Sequence, residues 1–348
     1  MNHFKFCLIA LVMITGMAAC TKDKDPVEEF PITTSLVWNK MNHCAFTDLV
    51  RFNNAFYITF REAASHTATA ATAGRVRILK TTDGSQWEEV ALIALSQKDI
   101  RDPKLSITPD NRIMVIMDVE EFNVAGNTVI SRKPHVSFSD ANGAAFSVPE
   151  ACTLDPSVQS TTNWIWRVTW HKGVGYGIDY SSGKGYFLVK TTDGKTWEKI
   201  TNLEVDGTPN EATIRFNSQD NMYILIRRES EDQLAVLAEA NAPYTNFKFT
   251  KMPFRVGGPD FLFLDDNTLV VGTRWYNEAG EGSGTVLYVV DLAGNIKRSL
   301  KVPSAGDSSY TGMVLFENKL WFSYYTSHWG PTHVWWASVP VDELYKTE

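Results

Sequence analysis

The 348-residue sequence predicts an all-β chain and, within that class, a six-bladed β-propeller. Three observations point there. Two near-identical turn segments recur along the chain. A second, independent marker recurs six times, at intervals of roughly fifty residues. No segment sustains the 3.6-residue apolar period of an amphipathic helix.

The two turn segments are Lys80-Thr81-Thr82-Asp83-Gly84-Ser85-Gln86-Trp87 and Lys190-Thr191-Thr192-Asp193-Gly194-Lys195-Thr196-Trp197. Each follows an apolar strand pattern, Val76–Leu79 or Tyr186–Val189. Asp-Gly marks a tight turn, because Gly tolerates a positive φ and Asp bonds back to the backbone. Weaker copies lead to Phe146, Phe247 and Ile296, so the marker residues 87, 146, 197, 247 and 296 are 59, 51, 50 and 49 residues apart. A final apolar strand, Val334–Val339, closes the series.

The second marker is a polar start, an apolar strand, a turn and another apolar strand. It begins at Thr47-Asp48-Leu49, Arg101-Asp102-Pro103, Trp166-Arg167-Val168, Asn210-Glu211-Ala212, Pro259-Asp260-Phe261 and Ser309-Tyr310-Thr311. Turns such as Asn53-Asn54, Lys172-Gly173 and Glu317-Asn318-Lys319 divide the paired strands. Six units of about four short strands make a six-bladed ring. Ser35–Trp38 is placed to supply the last strand of the final blade. Five blades is the alternative, should two units prove to be insertions.

In a propeller the first strand of each blade lies beside the axis. Its start and the end of the second strand meet at one face. Asp48, Asp102, Arg167, Glu211, Asp260 and Tyr310 are thus expected to converge on one mouth, ringed by Arg61, Glu62, Asp118, Tyr180, Arg227, Arg274 and Tyr325. Crowded carboxylates separate in pKa, and two carboxylates of different pKa are what glycoside hydrolysis uses. Arg and aromatic side chains at the rim suit a polar or anionic sugar. His66, in the Gly/Ala/Thr-rich loop Ala63–Gly74, is a candidate general acid, and His328 a candidate rim contact.

At the N-terminus, Cys7–Ala19 is an apolar run of 13 residues, too short to span a bilayer. It ends Gly16-Met17-Ala18-Ala19-Cys20, which resembles a bacterial lipobox. The expectation is a signal peptide over 1–19, acylation of Cys20, a charged tether over 20–34 and one propeller domain over 35–348. The protein would then sit at the bacterial outer membrane or cell surface, a monomer meeting the membrane through its lipid anchor alone. Without residues 1–19, which carry only Lys5 of the basic residues, 32 basic stand against 40 acidic side chains, and no basic cluster suits nucleic acid. Cys44 and Cys152 are expected as free, buried thiols, although an export route would permit a bridge. No HExxH, P-loop or GxSxG occurs, and no metal or cofactor is expected.

The two Asp-Gly segments resemble the Asp-box, S/T-x-D-x-G-x-x-W, of the sialidase superfamily, and Leu36–Val341 resembles that superfamily as a whole. The resemblance implies that Glu211 is the base for a nucleophilic Tyr310, with Arg227 and Arg274 matching two members of a carboxylate-binding arginine triad. The first triad arginine would fall near Cys44–Phe46, where the sequence has none. The family's acid/base Asp has no counterpart in Ala63–Gly74, where His66 is the nearest ionisable group. The resemblance is nearest to secreted bacterial sialidase-like propellers. The function expected is a cell-surface glycoside hydrolase acting on terminal sugars, with Glu211 and Tyr310, or two of Asp48, Asp102 and Asp260, as the catalytic pair. The alternatives are a glycan-binding lipoprotein using the same mouth and a structural propeller with the mouth plugged.

Overall fold

The computed structural model describes residues 31–181, 183–277 and 282–346. The expected signal peptide and Cys20, and the tether as far as Phe30, lie outside the described residues.

Six antiparallel sheets follow one another around an axis, which rules out the five-bladed alternative. Their inner strands are His43–Phe52, Lys98–Ile107, the broken pair Trp164–Ile165 and Thr169–His171, Pro209–Phe216, Asp260–Asp265 and Ser308–Phe316. Five sheets have four strands. The third also carries the short Thr153–Leu154, parallel to Thr196–Asn202. Thr33–Trp38 pairs antiparallel with His333–Pro340, with Thr33 opposite Ser338, so the N-terminal strand closes the ring as expected. This closure leaves no open end between first and last blade.

The turns follow from their residues. Asn53 and Asn54 both have positive φ (45° and 64°), as do Glu317 and Asn318 (48° and 57°), the geometry that matches strand twist in two-residue hairpins. The two Asp-Gly turns fold alike. Asp83 Oδ1 accepts from the Ser85 and Gln86 N–H groups, and Asp193 Oδ1 from those of Lys195 and Thr196. The Thr81 and Thr191 hydroxyls accept from Gly84 and Gly194 N–H. The apolar core is split into sectors between neighbouring blades. Ile100 and Val115 pack on Tyr57 and Val76, while Val334 and Trp336 of the last blade pack on Phe56 and Ile58 of the first. Strands near the axis are therefore buried on both faces, as Ala55–Ala63 is along its whole length. Cys44 and Cys152 are both free; Cys44 is buried and Cys152 half-buried.

Candidate functional site

One irregularity repeats around the axis. In four blades the inner strand carries one more residue than its partner at the same level. Phe46–Thr47 stand opposite Phe60, Asp102–Pro103 opposite Met117, Asn210–Glu211 opposite Arg227, and Tyr310–Thr311 opposite Tyr324. In the third blade Trp166–Val168 interrupt the inner strand at this level, between pairings Ile165–Asp179 and Thr169–Tyr176. In the fifth, Gly258–Pro259 fill the place, between the Asp260–Gly272 pairing and the bond from Arg274 N to Gly257 O. Bulges re-aim side chains and bend the strand that holds them. Phe46, Asp102 and Tyr310 take positive φ (61°, 45° and 53°), uncommon for residues with a Cβ and typical of sites where tertiary structure imposes the backbone.

The bulge rung forms the floor of the mouth. The Tyr310 hydroxyl donates to Glu211 Oε1 at 2.5 Å. Glu211 Oε2 accepts from Arg227 Nη1 at 2.7 Å and from Gly258 N at 2.7 Å. Arg227 Nη1 also lies 3.3 Å from the Tyr310 hydroxyl, and its Nη2 pairs with Glu229 at 2.6 Å. Gly258 has φ +59°, and a Cβ there would stand 2.3 Å from the Tyr310 ring. The position needs glycine both for its backbone and for this approach. Burial opposes the charge on Glu211, but Arg227, the Tyr310 hydrogen bond and Gly258 N outweigh it and hold the carboxyl below its ordinary value. Burial, and then the charge of Glu211, pushes the Tyr310 phenol well above its ordinary value. The pair is thus a neutral phenol bonded to an ionised carboxylate.

Asp102 sits on the same rung. Burial pushes its carboxyl up to about 6, with Arg101 and Lys104 pulling the other way and Glu211 adding to the rise. Its Oδ1 has no hydrogen-bond partner. Asp118, opposite Arg101 in the pairing, is 1% exposed with both oxygens unpartnered. Burial, then Glu120 and Asp102, drives its carboxyl far above the ordinary range. Aromatic rings complete the floor: Phe46, Trp166, Tyr310 and Tyr325 cluster, with half-buried Trp164 and Tyr180 against them. Trp164 and Tyr180 are stacked, 6.0 Å apart and 9° from parallel.

The rim above Phe46 is built around Asp307. Its Oδ2 contacts His43 Nε2 at 3.1 Å and His66 Nδ1 at 2.9 Å, and its Oδ1 accepts from Tyr325 at 2.8 Å and Arg274 at 3.1 Å. Burial opposes charge on Asp307, yet the two histidines and Arg274 hold its carboxyl below the ordinary range. His43, His66 and Asp307 offer donor atoms within 4.8 Å of one another, the one such group among the described residues. These residues could hold a divalent cation; as they stand, both rings share Asp307 Oδ2 and the buried His43 Nδ1 has no partner. The loop carrying His66 is tied down by Arg101 Nη1 on the His66 carbonyl and by Ala70 N on Gly126 O.

Several expected mouth residues lie elsewhere, and the bulge explains the largest group. Asp48 and Asp260 follow the bulge of their strands, so they stand one rung deeper than Asp102 and Tyr310, roughly 3 Å further along the axis. Arg167 joins them there. Its Nη1 contacts Asp48 at 2.5 Å and Asp260 at 3.4 Å, and its Nη2 donates to Thr311 O. Asp260 also pairs with Arg215 at 2.6 Å, and both aspartates are 0% exposed. Lys104 Nζ, brought down to about 8 by burial, donates to the carbonyls of Phe46, Thr47 and Pro103. This rung is a closed plug, so Asp48, Asp260 and Arg167 have no face toward the mouth. Glu62 is a correction of another kind. Strand alternation sends it to the opposite blade face from Arg61, where it binds Arg75 and Arg77. Arg61 is 0% exposed and locked on Asp99 and Ser65 O. His328 packs on Trp329 and Trp335, with Nδ1 on Thr326.

No protein-family model and no curated protein matches this chain. Solved structures do match its fold. A protein of unknown function from Dyadobacter fermentans has a TM-score of 0.74 at 16% identity, covering 89% of this chain and 99% of that one. The NanB sialidase of Streptococcus pneumoniae has a TM-score of 0.69 at 9% identity, covering 90% and 71%. An α-L-arabinofuranosidase of Fusarium graminearum has a TM-score of 0.63 at 14% identity, covering 87% and 95%. The chain thus has the six-bladed propeller fold of sialidase-like proteins. At these identities the likeness concerns the fold, and the chemistry must be argued from the site.

Proposed function

We propose that the protein is a glycoside hydrolase acting on terminal sugars of glycans, with its active site at the bulge rung of the mouth. The observation that carries this reading is the 2.5 Å bond from Tyr310 to Glu211, whose other oxygen is held by Arg227 and Gly258 N. A neutral phenol is a weak nucleophile, and an adjacent ionised carboxylate activates it. In the first step the Tyr310 oxygen bonds to the anomeric carbon as its proton passes to Glu211. The glycosidic bond breaks, and the leaving oxygen takes the proton of Asp102. In the second step water attacks the glycosyl–tyrosine bond and gives a proton to Asp102, while Glu211 returns its proton to Tyr310. The reaction is retaining. Asp102, pushed up to about 6, is the group on this rung suited to give and retake a proton.

The same mouth used for capture alone is the second reading, favoured by the stacked Trp164–Tyr180 wall. Glu211→Gln separates the two. As an enzyme the variant keeps saturable glycan binding and loses turnover; if wild type binds glycan yet yields no product over long incubation, the binding reading replaces the enzymatic one. We also propose that Cys20 anchors the chain by acylation at the bacterial surface. Cys20→Ser would then move the protein from the detergent phase to the aqueous phase, and an unchanged partition would refute the anchor.

A further inference from the structure

We infer that the sugar this mouth accepts is uncharged: a neutral pentose or hexose ring, not one carrying a carboxylate. The inference rests on the glycosidase reading and names its substrate class.

The cations come first. Arg227 is shared between Glu211 and Glu229, and Arg274 is paired with Asp307. Arg61 is sealed against Asp99, and Arg167 bridges Asp48 and Asp260 in the plug. Lys104 spends its donors on three backbone carbonyls. Arg101 is the least constrained guanidinium. It stands 3.6 Å from Asp99 and 4.0 Å from Glu120, next to Asp102 in sequence, with its Cζ 5.2 Å from the Phe46 ring centroid. Each of these cations thus already answers a protein carboxylate or carbonyl. A sugar carboxylate would have to displace one of these partners and would then meet the ionised Glu211 and, above pH 6, Asp102. Like charges at contact in a partly desolvated site are costly.

The apolar surface comes second. Phe46 occupies the rung position between Tyr310 and His66, with ring centroids 5.1 and 5.4 Å away, and presents no donor to an anion. Trp164 and Tyr180 add a stacked aromatic wall against the same cluster. The C–H face of a sugar ring packs on such a wall, while its hydroxyls can donate to the ionised Glu211 and both donate to and accept from a protonated Asp102.

The test is a panel of chromogenic glycosides offered to the purified full-length protein. 4-Nitrophenyl α-L-arabinofuranoside and a set of neutral 4-nitrophenyl aldopyranosides are compared with 4-methylumbelliferyl α-sialoside. The expected result is turnover of at least one neutral glycoside, with kcat/KM at least a hundredfold above the sialoside. Trp164→Ala should raise KM for that neutral substrate about three- to tenfold with little change in kcat. Turnover of the sialoside alone would overturn the inference and leave the glycosidase reading standing. Turnover of no glycoside would remove the glycosidase reading instead. Tryptophan-fluorescence titration with free neutral sugars and with free sialic acid then judges the inference alone: saturation by sialic acid and none by the neutral sugars would overturn it.

Discussion

Two rungs of charge share the propeller axis, and they are built on opposite terms. On the deeper one Asp48, Arg167, Asp260 and Arg215 pair with one another, with Arg167 reaching in from the break in the third blade's inner strand. On and beside the bulge rung Asp102 and Asp118 keep unpartnered oxygens, three residues with side chains hold positive φ, and Glu211 accepts a hydrogen bond from a group that can lose a proton. The deeper rung resembles a structural ion cluster, its two aspartates paired with two arginines and fully buried. The bulge rung retains polar groups that water alone would satisfy more cheaply, the mark of a site shaped for a ligand. Both are carboxylates and arginines at the starts of inner strands; the pairing, not the residue type, sets their roles.

The comparison can be broken most severely at Tyr310. Tyr310→Phe keeps the ring packing on Phe46 and Trp166 and removes the proposed nucleophile, so turnover should fall about a thousandfold or more with the melting temperature nearly unchanged. Next comes Arg167→Met, which leaves Asp48 without its ion partner. Breaking a buried pair costs about 3–5 kcal/mol, read by urea denaturation, and the loss should appear in stability first. A variant as stable as wild type would mean the plug is not what holds the six inner strands together.

Asp102→Asn sharpens the contrast through pH. In the wild type Asp102 must carry its proton, so kcat/KM should fall as pH rises through about 6. The variant should lose about a hundredfold or more on substrates with poor leaving groups, much less with nitrophenolate, and lose the alkaline limb. The smallest effect is expected at Asp118. The unfolded chain releases this proton near the ordinary carboxylate range, about pH 4, whereas the folded chain keeps it far higher, so wild-type stability declines as pH rises above that point. Asp118→Asn should therefore raise the melting temperature by a few degrees at pH 7 and leave it unchanged at pH 3, measured by calorimetry.

The fold was legible because its signals are local. Asp83-Gly84, Asp193-Gly194 and the Asn and Lys-Gly turns carry their own backbone chemistry, and six copies in register define a ring. Glu211, Arg227, Arg274 and Tyr310 were legible through a resemblance in spacing, and the structure brings them together. The layer of Asp48 and Asp260 was not. A bulge adds a residue to one strand relative to its partner, and neither strand's sequence states which residue is extra. Asp307 and Phe46 were missed for different reasons. Asp307 lies in a connecting segment before the inner strand, and Phe46 reads as one more apolar strand residue, although its φ of 61° places it at the mouth. Gly257-Gly258-Pro259 offered a signal that went unread: two glycines before a proline mark a place where another group approaches the backbone, here the Tyr310 ring.

The central claim is that Tyr310 attacks the sugar. Its most direct test is peptide mass spectrometry after incubating the protein with activated 2-fluoro glycosides, which form the glycosyl–enzyme bond faster than water breaks it. The account predicts a mass increment of one fluorosugar on the peptide carrying Tyr310, absent from Tyr310→Phe and Glu211→Gln. Steady turnover of the parent glycoside with an unmodified Tyr310, or with the sugar on another side chain, would contradict it.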